Sequence, residues 1–409
     1  MFSPRSKQSL SQPTSNIEPM IDDTTLRDGV QTPGVALSPK EAMEVALFLD
    51  QIGVQRIELH HFQLQDRRAV KLIQDASLKA RLAGWCRAVR DDVDSAIACD
   101  LEDIGISHPV SKIHLEAKWP NKSEKELLDR VQAVVEYAAK DQGLTVFVHG
   151  EDSTRADWNF EKAFIATCTE AGATTYRICD TLGVGNPRSD GSLPNGIPEK
   201  VRMIRLSTKI PYIEIHAHND LGNALANTMA AINAAAGYFD KIYASTTLLG
   251  IGERSGNAKT EEVIMNLYYH YGVTKFKKGL HKLTEASRYL SRVTNTPIAM
   301  NHPIVGSNAF AHESGVHTHG VLRNPLTYEP FPPELVGNSR RLTVGKHSGR
   351  SIIRHKIVMI TGREDVDGLL LDAVVGKVRE LYQNGRRTSL DDREIKTLIR
   401  CAETGGEAP

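Results

Sequence analysis

Between residues 20 and 245 the chain alternates short apolar runs with longer stretches of helical spacing, and does so eight times. The candidate strands are Met20–Asp23, Arg56–Leu59, Arg81–Trp85, Asp103–Ser107, Thr145–His149, Thr175–Ile178, Tyr212–His216 and Lys241–Ser245. Consecutive parallel strands need a crossover of about a dozen residues or more, usually a helix. Eight such units close into a (β/α)8 TIM barrel, an α/β fold. Helix signals agree with this. Ser38-Pro39-Lys40-Glu41 combines a cap, a first-turn proline and a capping-box glutamate. Glu124–Lys140 places Leu127, Leu128, Val131, Val134, Val135 and Ala138 on one helical face. The alternative is an open doubly wound sheet, but no Gly-x-Gly-x-x-Gly follows the first strand.

Past Leu290 the pattern changes. Asn301–Lys346 is rich in Gly, Pro, His and Asn and has little periodicity, as in a functional connecting region. Helical spacing returns at Asp365–Gln383 and Leu390–Cys401, and the last eight residues read as frayed. The expected organisation is a disordered leader over 1–19, a barrel over 20–285, a linker or subdomain over 286–355 and a small, mostly helical subdomain over 356–409. The leader has no apolar signal-peptide core; a modified transit segment is the lesser alternative.

Lys+Arg and Asp+Glu both number 50, so no net field draws the chain to nucleic acid or an anionic membrane. No run approaches a membrane span. Cys86, Cys99, Cys168, Cys179 and Cys401 are odd in number and form no Cys-x-x-Cys pair, which reads as reduced thiols in a cytoplasmic protein.

Three constellations fall at expected carboxyl ends of strands, the face where barrels build active sites. In Asp23-Thr24-Thr25-Leu26-Arg27-Asp28-Gly29, Asp28 can bind a cation and Arg27 can neutralise an oxyanion. A surface ion pair before a turn would look the same. In His216-Ala217-His218-Asn219-Asp220 the histidines are two apart on a strand, so both face one way. With Asp28 they make two imidazoles and a carboxylate, enough for a catalytic divalent site; a loop accident is the other reading of His-x-His alone. Gly250-Ile251-Gly252-Glu253-Arg254-Ser255-Gly256-Asn257 is either a plain turn or a glycine-rich loop that lets backbone approach a ligand. Further polar groups share the face: His60 and His61, Arg87, Glu151 and Asp180. Each can instead be a solvated loop residue.

Asp-Thr-Thr-Leu-Arg-Asp-Gly, His-x-His-Asn-Asp-x-Gly and Gly-Ile-Gly-Glu-Arg-x-Gly-Asn resemble signatures of the 2-isopropylmalate synthase and homocitrate synthase family, within the barrel metallolyases. The resemblance runs from about Met20 to Arg354. It continues through Phe310-Ala311-His312-Glu313-Ser314-Gly315-Val316-His317 and Asn324-Pro325-Leu326-Thr327-Tyr328-Glu329, and ends at Gly345-Lys346-His347-Ser348-Gly349-Arg350. It implies an acyltransferase that condenses acetyl-CoA with a 2-oxo acid and then hydrolyses the thioester, in amino-acid biosynthesis. A divalent metal (Zn, Mn or Mg) would sit on Asp28, His216 and His218 with Asn257 close by. Arg27 would stabilise the alkoxide, and Glu151 would belong to the acid/base network. His317 and Tyr328 would reach the neighbouring subunit's site, in a homodimer with a swapped C-terminal segment. Gly250, Gly252, Glu253 and Arg254 would hold the co-substrate.

The departures from the family concern the acceptor pocket. Val30 stands where a glutamate is usual, although Gln31 is kept; Asn186 replaces a threonine; His319 replaces an aspartate; and Ala234–Leu249 runs long. Substrate contacts are expected from Gln31, Glu58, His60, His61, Arg87 and Asn186. His60, His61 and Arg87 suggest a polar, dianionic acceptor met by charge-assisted hydrogen bonds. About 60 residues follow Arg350, so a further regulatory domain is not expected. Two rivals stand beside this reading. One is a C–C lyase of the hydroxymethylglutaryl-CoA lyase type, which would carry a cysteine in the strand-eight loop. The other is a catalytically idle relative, supported by Val30 and His319.

Overall fold

The computed structural model describes residues 18–406, and the chain divides into two compact units after Pro297. Residues 1–17 of the expected leader lie outside the described residues, while Glu18 and Pro19 open the first strand.

In the first unit all eight expected strands form and close into a parallel barrel in sequence order. They are β1 Glu18–Asp23, β2 Arg56–Leu59, β3 Arg81–Arg87, β4 Asp103–Pro109, β5 Thr145–Glu151, β6 Thr175–Asp180, β7 Tyr212–Ala217 and β8 Lys241–Thr246. Closure is the pairing of β1 with β8, with Ile21 opposite Ala244. The helices between them are α1 Pro39–Ile52, α2 Leu64–Asp75, α3 Arg90–Ile97, α4 Lys112–Lys118, α5 Glu124–Glu136, α6 Trp158–Ala171, α7 Ile197–Ser207 and α8 Ala224–Ala235; α9 Thr260–Tyr271 and α10 Leu283–Thr294 follow β8. Ser38 caps α1 in the expected capping box with Glu41. The helix expected over Glu124–Lys140 is α5 followed by a π-helical turn, Tyr137–Asp141. One crossover carries two helices, α4 and α5, between β4 and β5.

Several strands run further than their apolar stretches. Arg87, Glu151 and Asp180 read as loop because they are polar, yet each is the last residue of a strand. Their side chains therefore sit on the rigid rim of the barrel.

Outward strand residues such as Ile57, Ile104, Ile106, Val146, Val148, Ile178 and Ile215 are buried. The barrel interior is charged instead. Arg177 is fully buried, and its guanidinium reaches Asp22, Glu58 at 2.6 Å and Glu214 at 2.8 Å. Arg56 pairs with Asp22 at 2.9 Å and stacks over Phe147 at 3.8 Å. An unpaired ion in such a place costs several kcal/mol, so this interior holds only because each charge meets its opposite. Burial raises the Glu214 carboxyl to about 7, against the pull of both arginines.

The second unit, Ile298–Pro409, has a two-stranded parallel sheet of β9 Ala311–His312 and β10 Arg341–Leu342, and four helices among its described residues. These are α11 Gly315–Arg323, α12 Arg350–Thr361, α13 Gly368–Gln383 and α14 Asp392–Thr404. Ile352, Ile353, Ile357, Leu371, Val374, Val378, Leu398 and Ile399 form its core. α14 reaches Thr404, further than the sequence pattern implied, because Asp391 and Glu394 cap it and Leu398 and Ile399 bury its inner face.

Candidate active site

Three buried ligand atoms meet at the carboxyl end of β1 and β7. Asp28 Oδ2 lies 3.1 Å from His216 Nε2 and 3.6 Å from His218 Nε2. The two Nε2 atoms are 3.2 Å apart. Atoms bound to one cation at about 2.0–2.1 Å stand roughly 3–3.4 Å apart along an edge, so the triad has the size of a metal site. Its electrostatics agree. Burial works to raise the Asp28 carboxyl, but the Arg27 guanidinium and both imidazoles outweigh it and hold the group well below the usual carboxylate range. Burial, with His216 beside it, pushes His218 down to about 3, and burial likewise lowers His216. A charged carboxylate beside two neutral rings is the protonation state a divalent cation requires. Asp28 Oδ2 and Asn257 Oδ1 are buried without a hydrogen-bond partner, as a cation or its bound oxygen would satisfy.

The sequence places these groups by simple means. His216 is inside β7, and Ser245 on β8 sits at 3.0 Å from its Nδ1. His218 is just past the strand and bridges to Asn257 in the loop after β8. In that loop Gly250 has φ +69°, and a Cβ there would press on Lys259 at 2.7 Å. A Cβ on Gly252 would overlap the Asn257 amide. These glycines thus let the loop fold back so that the Asn257 backbone pairs with His218.

The triad opens into a cavity of about 590 Å³. Arg27, Asp28, Gln31, Arg87, Glu151, His216, His218, Glu253 and Arg254 all line it. Arg27 Nε donates to Glu58 at 2.5 Å, so Glu58 lies beneath the site and orients the arginine without facing the cavity. Arg87 is held by Asp92, whose oxygens accept from Nε and Nη2 at 2.8 Å. Arg254 is tied to Asp220 at 2.9 Å.

Other expected contacts fall elsewhere. His61 is buried behind β3, with Nε2 3.0 Å from the Trp85 carbonyl oxygen and Nδ1 3.1 Å from Ser95. His60 lines a separate, mainly apolar pocket of about 290 Å³ with Leu26, Val30 and Ile73. β2 stops at Leu59, so neither histidine continues the strand alternation toward the barrel axis. Asn186 staples its own loop, accepting from Arg188 N at 3.1 Å. Gly250 and Gly252 are not among the residues lining the cavity. His317 and Tyr328 belong to the second unit, where their rings stack at 4.1 Å with both side chains exposed.

Trp85, Ser107, Lys118, Trp119, Arg130, His149, Cys179 and Thr181 also line the cavity. His149 is the most informative of these. It is buried, its Nε2 has no hydrogen-bond partner, and burial together with Arg177 drives it well below the usual histidine range. A side chain at Gly105 on β4 would collide with that ring. The His149-x-Glu151 spacing on β5 was the available sign, since residues two apart on a strand share a face.

A family model described as HMGL-like matches residues 18–290. The chain belongs to the HMGL-like family. A second model, homocitrate synthase post-HMGL domain-like, matches residues 304–385. The chain is 43% identical over 390 residues to homocitrate synthase 1 of Nostoc sp., covering 93% of this chain and 97% of that relative. It is 39% identical over 383 residues to the (R)-citramalate synthase of Methanocaldococcus jannaschii, covering 93% of this chain and 74% of the relative. The barrel also superposes on an HMG-CoA lyase of Bacillus subtilis with a TM-score of 0.57 at 20% identity, over 68% of this chain and 94% of the lyase. That likeness is one of fold. Within the HMGL-like family the chain therefore stands with the acyl-CoA:2-oxo acid condensing synthases, and the lyase rival retains only the architecture. No helix among the described residues is long and apolar enough to cross a membrane.

Proposed function

We propose that this HMGL-like enzyme condenses acetyl-CoA with a 2-oxo acid that carries a second anionic group. The observation that carries the reading is the buried Asp28–His216–His218 triad beside Arg27 at the floor of the cavity. Asp28, His216 and His218 would hold a zinc, manganese or magnesium ion, with Asn257 Oδ1 near it; the ion supplies Lewis acidity to the keto oxygen. Arg27, aimed by Glu58, stabilises the alkoxide as negative charge develops. Glu151, on the cavity wall, moves the proton of the acetyl methyl group.

The second anion is met by Arg87 and Arg130, both on the cavity wall. Arg130 has no carboxylate partner among the described residues and lies over the Trp119 ring at 5.4 Å. Arg87 keeps the role expected for it, and Arg130 stands in for His60 and His61, which do not line this cavity. His317 and Tyr328, exposed and stacked on each other, suit delivery to the neighbouring subunit of a homodimer. Five free cysteines, four of them buried, suit a cytoplasmic enzyme.

Thiol release from acetyl-CoA, measured across a panel of 2-oxo acids with and without chelator, tests this. Preference for a dicarboxylic or phosphono acceptor supports the reading. A clear preference for 2-oxoisovalerate overturns the anionic acceptor, and no chelator-sensitive release with any acceptor overturns the condensation.

A further inference from the structure

The crossover between β4 and β5 contains a helix whose presence packing does not explain. α4, Lys112–Lys118, has no buried residue. A helix of seven residues is far below the length that stands alone in water, so something other than the core must hold it. Its anchor is Ser111, the buried N-cap, whose Oγ accepts from His114 N at 3.3 Å and donates to the Asp152 carboxylate. Asp152 sits at φ +63°, in the left-handed region, in the turn just after β5. Arg155 grips its carboxylate at 2.8 Å, and its backbone N–H donates to Thr181 at 2.8 Å.

From that anchor α4 aims two side chains, four residues apart and so on one face, at the same carboxylate. Lys118 Nζ donates to both oxygens of Glu151, at 2.7 and 2.6 Å. His114 Nδ1 lies 3.2 Å from Glu151 Oε1, and its Nε2 is 3.7 Å from Asp152 Oδ2. Stability is a poor reason for this arrangement. The Lys118 side chain is 44% exposed and that of Glu151 25%, and ion pairs of this kind contribute about 0–1 kcal/mol. The positions are better explained by Glu151 itself, which faces the cavity.

We propose that α4 is a positioning helix for proton transfer. Lys118 fixes the Glu151 carboxylate in one orientation on the cavity wall, and His114, with its Nδ1 lone pair beside Oε1, offers the proton that Glu151 gains a way out of the cavity toward solvent. The balance is simple: a C–H bond of the acetyl methyl breaks, the proton goes to Glu151 Oε1, and it passes on to His114 Nδ1 while the electron pair stays on carbon for attack on the keto group. The other titratable or charged groups near Glu151 are His108 on β4, His149 on β5, Cys179 on β6, and Asp152 and Arg155 in the turn. This inference rests on the reading of Glu151 as the proton-transfer carboxylate.

The test uses the full-length enzyme and three readouts: kcat and KM for acetyl-CoA and the preferred acceptor, exchange of the acetyl methyl protons with deuterated water followed by NMR, and the thermal unfolding midpoint. Because no residue of α4 is fully buried, Lys118→Met and His114→Ala should unfold close to the wild type. The proposal expects each to lose kcat and methyl exchange by about a hundredfold, the scale of a misplaced catalytic group, with KM within about threefold. Lys118→Arg should recover most of the loss. If Glu151→Gln abolishes both activities while Lys118→Met and His114→Ala keep rates within twofold of wild type, the positioning helix is wrong and Glu151 stands. If Glu151→Gln itself keeps the wild-type rate and exchange, the reading beneath the proposal has failed.

Discussion

Ser245 Oγ on β8 lies 3.0 Å from His216 Nδ1 on β7, so the other ring nitrogen is left to face Asp28. One hydroxyl thereby fixes both the orientation of the imidazole and the nitrogen that meets a cation. Such outer partners of a metal ligand are typically worth about 10–100-fold in metal affinity. Ser245→Ala should weaken zinc binding by that factor and leave the unfolding midpoint close to wild type. Calorimetric titration of chelator-treated protein measures it.

Arg177 joins three carboxylates from three strands, Asp22, Glu58 and Glu214, inside the barrel. Removing it leaves buried charges without a partner, a loss of about 3–5 kcal/mol. Arg177→Met should show that loss in urea denaturation. It should also lower kcat, because Glu58 would lose the contact that sets it under Arg27.

Asp23 gives the fold a pH dependence. Burial raises its carboxyl to about 7, although hydrogen bonds from Thr25 and Thr260 pull the other way. The folded chain then keeps a proton that the unfolded chain, with an ordinary carboxyl near 4, has already released. Stability from this group is complete below pH ~4 and is lost as pH rises to about 7. Asp23→Asn holds the neutral form at every pH. Urea denaturation at pH 5 and pH 8 should show a smaller loss of stability on going to pH 8 in this variant than in the wild type.

Much of this could be read from the chain before its fold was known. The eight strands declare themselves because their outward faces are apolar, and Asp28, His216 and His218 because a strand's two-residue period puts paired histidines on one side. The charged interior was hidden for the same reason. Arg56, Glu58, Arg177 and Glu214 alternate with isoleucine or tyrosine just as solvent-facing residues of an exposed sheet would, and nothing local says that the polar face is the inner one. His60 and His61 misled because alternation holds only while the strand lasts, and β2 ends one residue earlier. α4 left no apolar stripe, since its task is to present His114 and Lys118 and not to pack. Arg130 looks in sequence like any outward arginine of an amphipathic helix; only the fold brings it to the cavity wall.

Condensation, as proposed, depends on a divalent cation bound by Asp28, His216 and His218. The most direct measurement is calorimetric titration of zinc and manganese into chelator-treated enzyme, run in parallel on His218→Ala with its fold checked by circular dichroism. The wild type should show a single tight site, the variant should lose it, and thiol release should return with metal only in the wild type. Equal metal binding by both proteins, or full thiol release from metal-free enzyme, would contradict it.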